Sequence, residues 1–256
     1  MSDLDILTKV PDIDYREAAV EINELEFQKV IESRRSVRVF KEDPLPEKIM
    51  RRCLSNALLA PNSSNLQPWG FYWVRDPAKK SELARICMGQ SAAKTAPELV
   101  VCVAKTNNWK NIQKQMIESF DKKGGVPKGA YTYYQKIVPL AYNQGPLGLF
   151  GIVKKILFFF QGLTKVTPRE PTSYNDMRVW AHKTTALACE NLMLSLRAYG
   201  FDSCPMEGHD SKRVKDLLGL GKGDEICMII SAGKRAENGI YSERVRMPED
   251  QFIFEV

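Results

Sequence analysis

Residues 33–40 read SRRSVRVF. Arg34, Arg35 and Arg38 stand with Ser33 and Ser36 around an apolar beat of Val37, Val39 and Phe40. Just upstream, Ile22, Leu25, Phe27, Val30 and Ile31 recur at helical spacing that stops near Arg34, and the residues after it alternate as extended chain does. The stretch marks a helix-to-strand change and sets three guanidinium groups on one short segment. Such a segment is either a solvated surface cluster or a clamp for an anion held in one place, and the rest of the chain must choose.

Downstream, a second helix is predicted over residues 46–59, with Ile49, Cys53, Leu54, Ala57 and Leu58 on one face. It ends in APNSSNLQPW (60–69), a turn-rich loop. GFYWVRD (70–76) reads as a strand and residues 79–88 as a helix. ELVVCVA (98–104) is an unbroken apolar run, as expected of a strand buried on both faces. The longest helix covers residues 175–199, with Met177, Trp180, Ala181, Thr184, Ala188 and Leu192 at helical spacing and Gly200 as its stop. FDSCPM and EICMIISAG are strands on either side of a helix over 211–218. The tail MPEDQFIFEV alternates Phe252, Phe254 and Val256, a strand signal suited to pairing outside its own chain. Helices and strands are interspersed, which gives an α+β class with one helix-covered sheet. Residues 1–20 read as an N-terminal arm and 21–256 as one domain.

With 44% hydrophobic and 27% charged residues, disorder is not expected beyond the termini. The net charge of +6 suits an anionic ligand, but no stripe of Lys and Arg interleaved with aromatics exists, so nucleic acid is not an expected partner. The six cysteines form no CxxC pair. They lie in apolar company such as VVCVA, where a free thiol is a small hydrophobe, and so point to a reducing, cytoplasmic setting. MSDLDILTKV is no secretory signal. Two histidines without an HExxH spacing supply no metal site. Residues 143–173 form an apolar insertion whose heart, 147–163, is broken by Lys154, Lys155 and Gln161. It is shorter than the roughly 20 residues that span a bilayer. A lid over a hydrophobic site, a helix lying on a membrane surface, and a packed or dimer-contacting helix all fit it.

Holding a phosphate monoester takes forked guanidinium donors, hydroxyls and backbone N–H groups turned to one point. SRRSVR supplies Arg34, Arg35, Ser36 and Arg38, and SERVRMP supplies Arg244 and Arg246. In the 60–69 loop, Pro61, Asn62, Ser63, Asn65 and Gln67 put short amides and hydroxyls on a rigid turn. These can read a heterocycle or simply cap a helix. Glu207-Gly208 follows a strand, where a glycine lets main chain approach a flat ligand; the same residues also make an ordinary turn with Asp210 as N-cap.

The succession RRSVRxF, APNSSNxQPW, PxEG after a long helix and RxRxP near the end resembles the nitroreductase family of FMN-dependent oxidoreductases, from about residue 31 onward except for the apolar insertion. The resemblance implies a central mixed sheet flanked by helices, with the C-terminal strand extended onto a partner subunit. It also implies a homodimer with FMN at the subunit interface, reduced by NADPH or NADH. By that pattern Arg34, Arg35, Ser36 and Arg38 open the FMN segment, and Arg244 and Arg246 join them near the phosphate. Pro61, Asn62, Ser63 and Asn65 come from the other subunit, and Glu207 and Gly208 lie beside the reactive flavin nitrogen. Gln90 and Lys94 fall near side chains that the family also uses. The implied reaction passes a hydride from NAD(P)H through flavin to a nitroaromatic or quinone in ping-pong order, with no side-chain acid assigned. His209 is read as a surface histidine. Reductive dehalogenation, ene-type reduction and a non-catalytic FMN-binding or membrane-surface role are the alternatives within this resemblance.

Overall fold

The computed structural model describes residues 16–256, so most of the expected arm, residues 1–15, lies outside the described residues. Helix α1 (Glu24–Ser33) starts at Asn23, whose side chain accepts from the Glu26 N–H at 3.2 Å. It buries none of its residues, so the helical spacing read from the sequence is correct but the apolar face looks outward. Helix α2 (Glu47–Ala57) buries Met50, Cys53 and Ala57. Then come β1 (Trp69–Trp73), α3 (Pro77–Ile86), the short α4 (Ser91–Thr95), β2 (Glu98–Lys105) and α5 (Trp109–Lys123). A helix over residues 128–142, α6, contains one π-turn at Tyr133–Ile137. It is followed by α7 (Leu149–Gln161), α8 (Tyr174–Ala198), β3 (Asp202–Met206), α9 (Ser211–Leu218) and β4 (Asp224–Gly233).

The sheet order is β1-β2-β4-β3, and every pair in it is antiparallel. The expected mixed sheet is corrected on this point. The helices between strands return the chain to the sheet in the opposite direction, and the one parallel pairing among the described residues is the isolated bridge Ser36–Ser203. The apolar run of β2 alternates between two cores. Leu99, Val101 and Val103 pack with α3, α9, Val37 and Phe40, whereas Val100 and Cys102 pack with α2 and α8. This two-sided burial is why the run is continuous in sequence. A third cluster joins Leu66 and Trp109 to tyrosines of α6 and to Met177, Trp180 and Ala181 of α8.

Helix α8 is the long central helix. Ser173 and Asp176 form a capping box at its start, and Gly200, at φ +79°, follows its end. Burial works against the Asp176 charge, but hydrogen bonds from Thr172 and Ser173 outweigh it and hold the carboxyl below its ordinary value. The expected C-terminal strand is absent from the single chain. After the turn Glu249–Gln251, where Phe252 N and Ile253 N donate back to Glu249 O at 2.9 Å, residues 252–256 join no strand, since a strand exists only where another backbone completes its ladder.

Candidate functional site

The arginine stretch lies along the outer edge of β3. Val37 N donates to Ser203 O at 3.1 Å, Arg38 N to Gly239 O at 2.7 Å, and the Arg38 guanidinium reaches Cys204 Sγ at 3.4 Å. Burial of Val37 and Phe40 in the core fixes the backbone, so Arg34, Arg35 and Arg38 remain partly exposed beside the strand. From the far end of the chain, Arg244 donates to the carbonyls of Glu32 and Arg34. Arg35 in turn donates to Ser242 O. The segment at the end of β3 carries Glu207 and Gly208, both exposed, and Gln90 Nε2 donates to Gly208 O at 2.8 Å. A Cβ at Gly208 would stand 3.1 Å from that Gln90 nitrogen, so the glycine keeps this approach open. Lys94 is exposed, with its Nζ beside Gly89. Thr95 accepts from Phe40 N at 3.0 Å and so ties this helix to the arginine segment.

Arg34–Arg38, Gln90, Lys94, Glu207, Gly208 and Arg244 are therefore brought to one side of β3. Their charge is poorly compensated. Among the described residues Arg34 has a carboxylate neighbour, Glu190, at 3.7 Å, while Arg35 and Arg244 donate to neutral carbonyls. Guanidinium groups held this way keep their attraction for an anion. Arg197 and Arg235 differ in that both close on one buried carboxylate, Asp202, at 3.0 and 2.7 Å, so each has a carboxylate partner within the fold.

Two expected members stand apart. Arg246 donates only to the adjacent Val245 O at 2.8 Å and lies in the exposed tail. The 61–65 loop belongs to the α6 side of the molecule: Ser64 Oγ contacts Tyr133 Oη at 2.6 Å and Tyr142 Oη at 3.2 Å, and Tyr134 donates to Ser64 O at 2.8 Å. Asn62 Oδ1 accepts from Gln67 N at 2.8 Å, and Ser64, Asn65 and Gln67 all have positive φ, so the loop is a fixed and locally strained shape. Its tyrosines cluster with Met177–Ala181 of α8, whereas Arg34 meets Glu190 of the same helix. Nine residues of helix separate Ala181 from Glu190, about 14 Å at 1.5 Å per residue. At its start the loop follows Ala60, which packs with Ala188, two residues from Glu190.

His209 is corrected from a surface histidine to a half-buried one. Burial lowers its pKa, and its Nδ1 has no partner. It is therefore neutral near pH 7. All six cysteines are free and all but Cys227 are buried, with Cys53 and Cys87 pushed by burial to about 11. No metal-holding cluster occurs among the described residues, and none of their helices is long and apolar enough to cross a membrane.

On the loop side, a cavity of about 600 Å³ opens beneath the insertion. Its walls include Trp109, Tyr142, Leu147, Ile152, Tyr174 and Met177. Such a volume suits a small organic molecule. A hydrophobic site under the insertion was one reading of the sequence, but its walls were not legible, because they come from five separate elements.

These features define an α+β protein with a cationic cradle at a sheet edge. The chain belongs to the nitroreductase family, whose family model matches residues 31–234 and so ends before Arg244. That membership, together with relatives named NAD(P)H nitroreductases such as one of Bacillus subtilis, supports an NAD(P)H-dependent oxidoreductase. It is similar to an NADH dehydrogenase of Thermus thermophilus, 29% identical over 212 residues, covering 83% of this chain and 88% of the relative. It is also similar to a 4-nitrobenzoate reductase of Pseudomonas putida, 23% identical over 227 residues, with 88% and 92% covered. A protein of Exiguobacterium sibiricum solved in complex with FMN shares the fold, with a TM-score of 0.67 at 21% identity over 94% of this chain and 99% of the other.

Proposed function

We propose that this chain holds FMN in the cradle beside β3 and reduces electron-poor aromatic or quinone acceptors with electrons from NAD(P)H. When bound, FMN supplies the two-electron relay between the nicotinamide and the acceptor, in ping-pong order. The observation that carries this reading is the meeting of four stretches far apart in sequence: Arg34–Arg38, Gln90, Gly208 and Arg244. The guanidinium groups and Ser36 suit a phosphate monoester, and the exposed Glu207-Gly208 main chain, steadied by Gln90, leaves room for a flat ring. Positive charge kept near the ring favours an added negative charge there by ordinary electrostatics.

The 61–65 loop completes the site from a second copy, which makes the working unit a homodimer with FMN at its interface. Support comes from the loop's rigid shape and from the contacts of Ser64, which go to the tyrosines of α6. The aromatic-walled cavity adjoins this loop through Tyr142, which favours an acceptor with a ring and apolar substituents. Neutral His209 is not a proton source, so protons come from solvent or the reductant. The test is direct. Purified protein should be yellow, and NADH or NADPH should bleach it within seconds under anaerobic conditions, with colour restored by a nitroaromatic or quinone. A yellow preparation that neither nucleotide bleaches would leave only FMN storage or sensing.

A further inference from the structure

Helix α7 is built inside out. Its buried residues are Gly151 and Lys154, while Ile152, Val153, Ile156, Leu157, Phe159 and Phe160 are each half or more exposed. Two contacts fix this orientation. A Cβ on Gly151 would run into the Thr172 carbonyl oxygen, so only glycine lets the helix sit this close. Lys154, 2% exposed, turns its ammonium inward to donate to Ala141 O at 2.8 Å and Pro171 O at 3.0 Å. At the far end Arg169 donates to Phe158 O at 2.8 Å and Gly162 O at 3.3 Å, satisfying the last carbonyls of the helix. The protein thus invests its polar contacts in holding six large apolar side chains outward.

The charge around this helix is equally one-sided. Residues 106–173 contain ten Lys and Arg against three Asp and Glu, so this segment alone accounts for the chain's entire excess of +6. Lys155 and Lys165 are exposed within the insertion, and Lys110 lines the same cavity as Ile152.

We propose that α7 and its basic surroundings dock the protein on an anionic lipid bilayer. The apolar face sinks to the boundary between headgroups and acyl chains, and the lysines lie over the acidic headgroups. The helix is too short to cross. Charge decides against a second copy of this chain as the occupant, because a two-fold contact through this face would set the most positive part of the molecule against itself. Ile152 also reaches the wall of the cavity, but a cover closing on its own chain would need the other five side chains turned inward, and Lys154 and Gly151 hold them the other way. The proposal does not rest on the flavin reading.

The test is flotation of the full chain with phosphatidylcholine vesicles, with and without phosphatidylglycerol, alongside Ile156→Glu and Phe160→Glu variants. Both replaced residues are exposed, so folding is unaffected, and flavin content or circular dichroism verifies it. The wild type should float with the anionic vesicles, at least about tenfold more than with the zwitterionic ones. Raising salt to about 1 M, where the Debye length is about 3 Å, should release it. Each variant should lower flotation by about tenfold or more. The proposal is overturned by failure to float on anionic vesicles, or by variants that float as the wild type does. It is also overturned if the wild type is larger in solution than both variants, which would make the face a contact between copies.

Discussion

Arg244 is 210 positions from Arg34, yet its guanidinium rests on the Arg34 carbonyl. Replacing it with alanine should weaken FMN binding about 10- to 100-fold, the loss of one charge-assisted contact worth roughly 1.5–3 kcal/mol. Arg246→Ala should leave the affinity within about threefold, since its contact is local. Flavin-fluorescence titration reads both, and an equal loss in both variants would refute the site as drawn. Lys154 makes a different prediction. Burial lowers its pKa from 10.5 to about 8, so between those values the unfolded insertion binds a proton that the native one does not. Stability of the insertion should therefore rise with pH across that window, with the full cost present below pH 8. Lys154→Met should abolish that slope in proteolysis of the insertion measured against pH. The arginine cluster was legible in the sequence because three like charges in five positions need a reason. Its partners Glu190 and Thr95 were not, because nothing local marks residues that meet only through tertiary packing.

Elements were more readable than their surroundings. Helix α9 spans the residues expected of it, and the unbroken run of β2 correctly announced burial on both faces. Helix α5 was overlooked although Trp109, Ile112, Met116 and Phe120 recur at helical spacing, because the lysines and glutamines between them dilute the pattern. Strand direction was illegible, since a helix between two strands fits either a crossover or a return. In the insertion, the sequence showed an apolar helix interrupted by lysine but not which side faced in. Gly151→Ala tests that seating. The added methyl meets the Thr172 carbonyl and Gln144, so docking of α7 should weaken by about 1–3 kcal/mol. Cleavage within residues 143–173 should accelerate while the melting transition of the main core moves little.

At the scale of the whole molecule, the proposed shared site has a stoichiometric signature. Arg244→Ala and Asn62→Ala homodimers should each bind FMN poorly. Co-expressed, the two chains should recover about a quarter of the sites, because half the dimers are mixed and one site in each is intact. No recovery would place the loop and the arginines of one chain in the same site and overturn the shared arrangement. Deleting residues 147–163 should impair reduction of bulky apolar quinones far more than that of a small water-soluble one, and equal losses would count against an apolar acceptor. The segment that carries Ser36 also occupies the outer side of β3, where it bridges to Ser203. One short piece of chain thus seals an otherwise free row of backbone donors and acceptors and, in the proposed function, also cradles the ligand. Protein stripped of its ligand should for that reason coagulate sooner on storage than the loaded form, and the prosthetic group would then double as a preservative.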